Sequence, residues 1–423
     1  MKILMLSIDK GLLGQGQLGD VCERHKKYSE FCDKLDIIVF NKLSFPRKRE
    51  SSVSVKLSEK VTSYPTNSKS KLFYYFDVLK LGKKLFQKNY YDLIVCQDPF
   101  LTGLIGLKLK NKFGSKLLIH FHGDFKFPFW NVVKNADGVR VMSQGQKEKL
   151  VKKGMPADKI YVIPTPVDLE KFDTQCHPER SNVVSSLPTG DTMYFRSSQP
   201  PLQRGRETGA NKNVCHPDAS QDPEKKENKN FWIPASAGMT DNKIILFVGR
   251  LEKVKKLDWF LKIFKTLITN HQSPITLKII GKGSQENKLK YLVKKLDLAD
   301  KVKFVGQLLQ NEIINYYYNS DIIVLPSISE SFGKVLVEAN ACGKPVVATA
   351  TTGAKEIIQD GINGFLVPIG DAEKMSDKIL ELLNNPKIAA QMGENGRKLV
   401  MEKFDGNRQL QKIKEMWQEI VNL

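Results

Sequence analysis

The sequence predicts an α/β protein of two doubly wound parallel-sheet domains facing a cleft. Three observations predict it: short apolar runs alternate with helix-like segments from the amino terminus, the pattern restarts near residue 243, and an aperiodic stretch separates the two series. Strands covered on both faces read as continuous apolar runs, and helical crossovers between them make the sheet parallel. Such sheets bind ligands beyond the carboxyl ends of their strands.

The first series opens with ILMLSI (3–8), which lacks the apolar stretch and cleavage site of a signal peptide and reads as a buried strand. A Gly-rich turn, GQGQLGD (14–20), leads into a helix of about VCERHKKYSEF. DKLDIIVF (33–40) is a strand, FYYFDVLKLGKKLFQKN (73–89) a helix, YDLIVCQD (91–98) a strand and LTGLIGLKLKNKFG (101–114) a helix. KLLIHFHG (116–123) and ADGVRVMS (136–143) are strands, QGQKEKLVKKG is a helix, and KIYVIPTPVD (159–168) closes a first domain over 1–172.

The second series gives a domain over 243–423. Its strands are KIILFVGRL (243–251), ITLKIIGKG (275–283), KVKFVGQL (301–308), DIIVLPS, PVVATA (345–350) and GFLVP (364–368). Helices LDWFLKIFKTLITN, ENKLKYLVKKLDL and NEIINYYYNS lie between them, another follows Phe332, and the last helix is expected to pack back on the first domain. Residues 173–242 carry Pro, Ser, Asn and charge without periodicity, which predicts a disordered insertion or linker. Cys-His-Pro occurs there twice, at 176–178 and 215–217, but the spacing matches no standard zinc site. SFPRKRESSVS (44–54) has the same look; both resemble translated dispersed repeats of some bacterial genomes and read as passengers in loops.

Composition bounds the function. The 423 residues suffice for two cores, no apolar run approaches a membrane span, and six scattered cysteines fit a reducing cytoplasm. Net charge is +20, with residues 1–172 holding 31 Lys and Arg against 17 Asp and Glu. The clusters KLGKKLFQK (80–88), KLKNKFGSK (108–116) and KEKLVKK (147–153) suit an anionic membrane surface, whereas the lack of an aromatic-plus-basic motif argues against nucleic acid.

The chemistry concentrates in Glu330-Ser-Phe-Gly-Lys-Val-Leu-Val-Glu338, where a buried strand turns into a helix. The first free amides of that helix are expected at Phe332 and Gly333, forming an anion site reinforced by the helix dipole. Glu330 precedes the start and Glu338 lies about one and a half turns inside, so carboxylates can meet a polyol while amides hold a phosphate. GRLEKVKK (249–256) follows a strand; Gly249 permits close backbone approach, and Arg250 and Lys255 are suited to a diphosphate. GKG (281–283) suggests a second close approach. Neither segment fits the phosphate-loop or dinucleotide pattern, so ATP hydrolysis and NAD chemistry have little support. In the first half, Gly14 and Gly16 shape the turn, His122 and Asp98 end strands that reach the cleft, and His120, deeper in its strand, reads as structural.

Together, KIYVIPTPVDLEKF, ILFVGRLEKVKKLDWFLKIF and YNSDIIVLPSISESFGKVLVEANACGKPVVATATTGAKEIIQDGINGFLVP resemble glycosyltransferase family 4, the retaining GT-B enzymes. The resemblance implies the GT-B fold of two Rossmann-like domains, with 1–172 on the acceptor side and 243–423 binding a nucleotide sugar. It implies that Gly249, Arg250, Lys255, Glu330, Ser331, Phe332, Gly333 and Glu338 bind the donor. Glu338 would meet the ribose, Glu330 the transferred sugar, and Arg250 with Lys255 the leaving diphosphate. His122 matches the family's cleft His, and Gly14, Gly16 and Asp98 lie on the acceptor or phosphate side. Lys256 stands where Gly is usual. The implied activity is metal-independent retaining transfer from a UDP- or GDP-sugar, without a cofactor, to a cell-envelope glycan or lipid-linked acceptor at the cytoplasmic face of the membrane. The absence of any Asp-x-Asp agrees with that metal independence. A nucleotide-sugar epimerase-like enzyme and a non-catalytic basic binding protein are the competing readings.

Overall fold

A computed structural model describes residues 1–14, 21–42, 54–123, 129–176 and 242–423. The expectations for 44–54 and for the insertion at 173–242 fall almost wholly outside these residues. Residues Met1–Pro178 and Asp241–Leu423 form one compact unit containing two sheets.

The first sheet has strands β1 (Lys2–Ser7), β2 (Lys34–Val39), β3 (Val55–Lys56), β4 (Val61–Pro65), β5 (Leu93–Cys96), β6 (Lys116–Phe121), β7 (Gly138–Val141) and β8 (Ile160–Val162). Their order is β3-β4-β2-β1-β5-β6-β7-β8, parallel except for the β3–β4 pair. The second sheet has β9 (Lys243–Val248), β10 (Ile275–Ile280), β11 (Val302–Gly306), β12 (Ile322–Leu325), β13 (Val346–Thr349) and β14 (Phe365–Val367), all parallel in the order β11-β10-β9-β12-β13-β14.

Apart from the short β3 and β4, which the sequence reading did not assign, the strands come from the apolar runs of the sequence; Ile3, Leu4, Met5 and Leu6, for example, are all buried. Burying such strands on both faces requires helices on both sides, which the crossovers supply. The winding direction reverses between β1 and β5 in the first sheet and between β9 and β12 in the second. The crevice at each reversal is where such folds take ligands.

The last helix, Gly406–Asn422, completes the first domain rather than the second. Its Trp417 stacks edge-on against Tyr28 at 5.3 Å and Phe31 at 6.5 Å, and Ile413, Met416 and Ile420 join the same buried cluster as Ile3 and Met5. A Cβ on Gly138 would lie 2.4 Å from Ile420 Cδ1, so a larger residue there would have to displace the Ile420 side chain. Among the described residues, no helix is long and apolar enough to cross a membrane.

Candidate active site

The second domain supplies a charged cluster at its winding reversal. Lys255 closes a short 3₁₀ turn after β9, and Glu330 lies in the loop after β12. They are 75 residues apart in sequence, yet β9 and β12 are sheet neighbours, and the Ile328 amide donates to the Val254 carbonyl at 2.9 Å. Lys255 Nζ donates to Glu330 Oε1, and Ser327 Oγ donates to the same oxygen at 2.8 Å. Ser327 is held in turn because Thr349 Oγ1, at the end of β13, donates to its carbonyl. The Lys255 and Glu330 side chains are only 15% and 14% exposed, so the pair attracts at a lower effective dielectric than a surface pair. Arg250 is exposed one residue beyond Gly249, at the same strand end.

The helix after Glu330 starts at Lys334, as its sequence KVLVEANAC predicts, but its free amides lie further along than expected. It spans Lys334–Ala341, with Gly333 as N-cap at φ +90°, a left-handed conformation that holds the chain out of the helix. Leu336 N bonds Gly333 O at 2.8 Å, so the helix's own first amides are those of Lys334 and Val335. Phe332 and Gly333 lie in the lead-in, and the Phe332 ring is buried 5.5 Å from Phe404. Glu338 is buried inside the helix. It accepts a 2.8 Å bond from Tyr317 and lies 3.4 Å from Lys334 Nζ. Burial and the Glu338 charge push the Tyr317 hydroxyl pKa well up, which keeps it a donor.

The GKG segment packs closely against the neighbouring strand-end loop. A Cβ on Gly281 would lie 2.0 Å from the Gly249 carbonyl, and one on Gly283 would lie 2.4 Å from that of Leu251. These glycines let two strand-end loops touch each other. The sequence reading missed Gly353. A Cβ there would lie 2.4 Å from the Phe332 amide nitrogen, and the Gly353 amide donates to the Glu330 carbonyl at 2.8 Å. Its only local signal is a glycine shortly after a buried strand.

From the first domain, His122 follows β6 with its ring open to solvent, while Ser331 Oγ of the second domain donates to its backbone carbonyl. Protein crowding around the imidazole, then the Arg140 and Arg24 charges, push its pKa down to about 3. Water reaches the ring, and His122 is neutral near neutral pH. A second bridge joins the domains where Glu356 Oε1 accepts from the Gln144 and Gly145 amides at 2.7 and 3.3 Å, at a helix start in the first domain.

Other first-domain candidates are locally engaged. Asp98 Oδ1 accepts the Phe100 amide at 2.8 Å in a turn before the 101–113 helix, and burial raises its pKa. Gly14, at φ +69°, ends the Lys10–Leu13 turn. Gly16 lies outside the described residues.

Comparison with known proteins places this chain in a family. Residues 35–171 match Glycosyltransferase Family 4, and residues 228–399 match Glycosyl transferases group 1. The chain belongs to glycosyltransferase family 4. This family member is 35% identical over 196 residues to an uncharacterised glycosyltransferase of Haemophilus influenzae, covering 46% of this chain and 53% of that protein. It is 31% identical over 182 residues to the capsular polysaccharide biosynthesis glycosyltransferase CapM of Staphylococcus aureus, covering 42% and 47%. The chain therefore spans about half the length of these curated relatives. Among solved structures, Anabaena HepE in complex with UDP and glucose aligns with a TM-score of 0.67 over 99% of this chain and 100% of that one, at 20% identity. That likeness establishes the shared GT-B fold.

Proposed function

We propose that this protein transfers a sugar from a nucleoside-diphosphate sugar to a cell-envelope glycan or lipid-linked acceptor, with retention and without a metal. The observation that carries the reading is the Lys255–Glu330–Ser327 cluster at the winding reversal of the second sheet, bridged to His122 through Ser331. As the anomeric bond breaks, negative charge grows on the diphosphate. Lys255, Arg250 and the amides around Gly333 are suited to stabilise it, with no reorganisation at the moment of reaction. Glu330, oriented by Ser327, meets hydroxyls of the transferred sugar, and Glu338 meets the ribose. Neutral His122 hydrogen-bonds the sugar rather than acting as an acid. With no covalent nucleophile assigned, retention is read as front-face displacement.

The HepE complex with UDP and glucose supports UDP as the base carrier, and the capsular relative supports an envelope acceptor. Docking on the inner membrane surface is supported by the helix Tyr74–Lys88 and the turn before it, where exposed Leu72, Phe73 and Phe76 are followed by exposed Lys80, Lys83 and Lys84. The test is a thermal-shift panel of UDP-, GDP- and ADP-sugars, followed by nucleotide release with lipid-linked acceptors. A donor-specific shift and EDTA-resistant, acceptor-dependent release are expected; turnover of donor without acceptor would overturn the reading.

A further inference from the structure

Beneath His122, the first domain forms a partly open cavity of about 30 Å³ lined by Met5, Arg24, His25, Tyr28, Gln97, His120, His122, Arg140 and Thr165. None of these lining groups is a carboxylate. Arg140 is 2% exposed, and its Nε and Nη2 donate to the Ile163 and Pro164 carbonyls at 2.8 and 2.7 Å. Among the described residues Arg140 has no ion pair. A buried guanidinium bonded only to neutral groups lacks the counter-charge that normally offsets its desolvation.

A second observation points into the same space. His120, 4% exposed, has no hydrogen-bond partner for Nε2 among the described residues, and its ring meets that of His122 at 5.6 Å. Leaving such a nitrogen dry is costly, so the cavity calls for a polar occupant. Water satisfies His120 but leaves the Arg140 charge uncompensated; an oxyanion satisfies both.

We infer that this cavity binds an oxyanionic group carried by the acceptor, held by Arg140 and His120 below the catalytic cleft. Room for about two water-sized groups fits the two oxygens of a carboxylate better than a phosphate tetrahedron. The assignment to the acceptor rests on the transferase reading, whereas anion binding itself does not.

The test uses the full chain at constant ionic strength, titrated with sodium acetate, inorganic phosphate or chloride and followed by thermal shift and by NMR of the histidine rings. Saturable stabilisation by acetate, with His120 and His122 ring shifts, is expected; saturation by phosphate in its place supports the site and assigns the group as a phosphate. Arg140→Gln keeps donors for the two carbonyls but removes the charge, and His120→Leu removes the free nitrogen. Each is expected to weaken acetate binding by about tenfold or more. If Arg140→Gln fails to fold, His120→Leu and the wild-type ring shifts decide alone. Responses equal to chloride, or saturation unchanged in the folded variants, overturn the proposal. A UDP-sugar thermal shift recorded on the same samples reads the transferase assignment separately.

Discussion

Ser331 Oγ donates to the backbone carbonyl of His122, joining the loop of the second domain that holds Glu330 to the strand end of the first. The bond lies between two sites that must converge on one substrate, so it bears on positioning more than on stability. Ser331→Ala is expected to change urea-unfolding stability by less than about 1.5 kcal/mol. The same substitution should raise the donor KM several-fold. A variant that loses stability while keeping its KM would show a structural role only.

Removing the cation beside Glu330 tests the chemistry directly. Lys255→Ala is expected to lower kcat at least about a hundredfold, as loss of a transition-state charge partner does. The fold should survive, as read by circular dichroism and a retained cooperative transition. Near wild-type turnover in a folded Lys255→Ala protein would contradict the assignment.

Lys256 sits at φ +52°, the left-handed region, immediately before the 257–270 helix. A non-glycine residue there costs about 1–2 kcal/mol, partly offset by the greater unfolded freedom of glycine. Lys256→Gly should therefore stabilise the protein by about 0.5–1 kcal/mol in urea unfolding, and Lys256→Ala should not.

Gly353 leaves no room for a side chain against the Phe332 amide. Gly353→Ala should cost about 1–3 kcal/mol by overpacking and displace the Glu330 loop. The expected signature is a weakened donor-induced thermal shift alongside a lowered Tm.

Stability should fall with acid in a defined direction. His120 and His122 both have depressed pKa values in the folded state, chiefly by desolvation and then through Arg140. In the unfolded chain they titrate near about 6.5. The unfolded state thus binds more protons below that pH, so the contribution is present above it and lost as pH falls toward the folded values. Urea midpoints measured from about pH 7.5 to about pH 5 should decline, and less so in His122→Gln.

Much of this was legible in the sequence for a physical reason. A strand covered on both faces must be apolar throughout, so DKLDIIVF and DIIVLPS announce themselves, and a Lys and a Glu at the ends of neighbouring strands need no distant information. The errors arise where tertiary proximity decides. The Gly281–Gly249 contact, the Gly353 approach to Phe332 and the cavity between Arg140 and His120 join residues from separate elements. β3 and β4 are short and adjoin the stretch set aside as a passenger, so no apolar run revealed them. The free amides fell at Lys334 and Val335 because Gly333 took a left-handed turn that composition alone does not dictate.

The return of the Gly406–Asn422 helix to the first sheet has a consequence for synthesis on the ribosome. Trp417 belongs to the buried cluster of the strand that begins at Lys2, so the first sheet waits for residues made after the whole of the second sheet. The first domain emerges with its β1–β2 face uncovered and stays open until Gly406–Asn422 has been made. Nascent chains stalled before residue 406 should therefore engage chaperones through that face, whereas the second sheet, whose strands are complete by Val367, should already be closed.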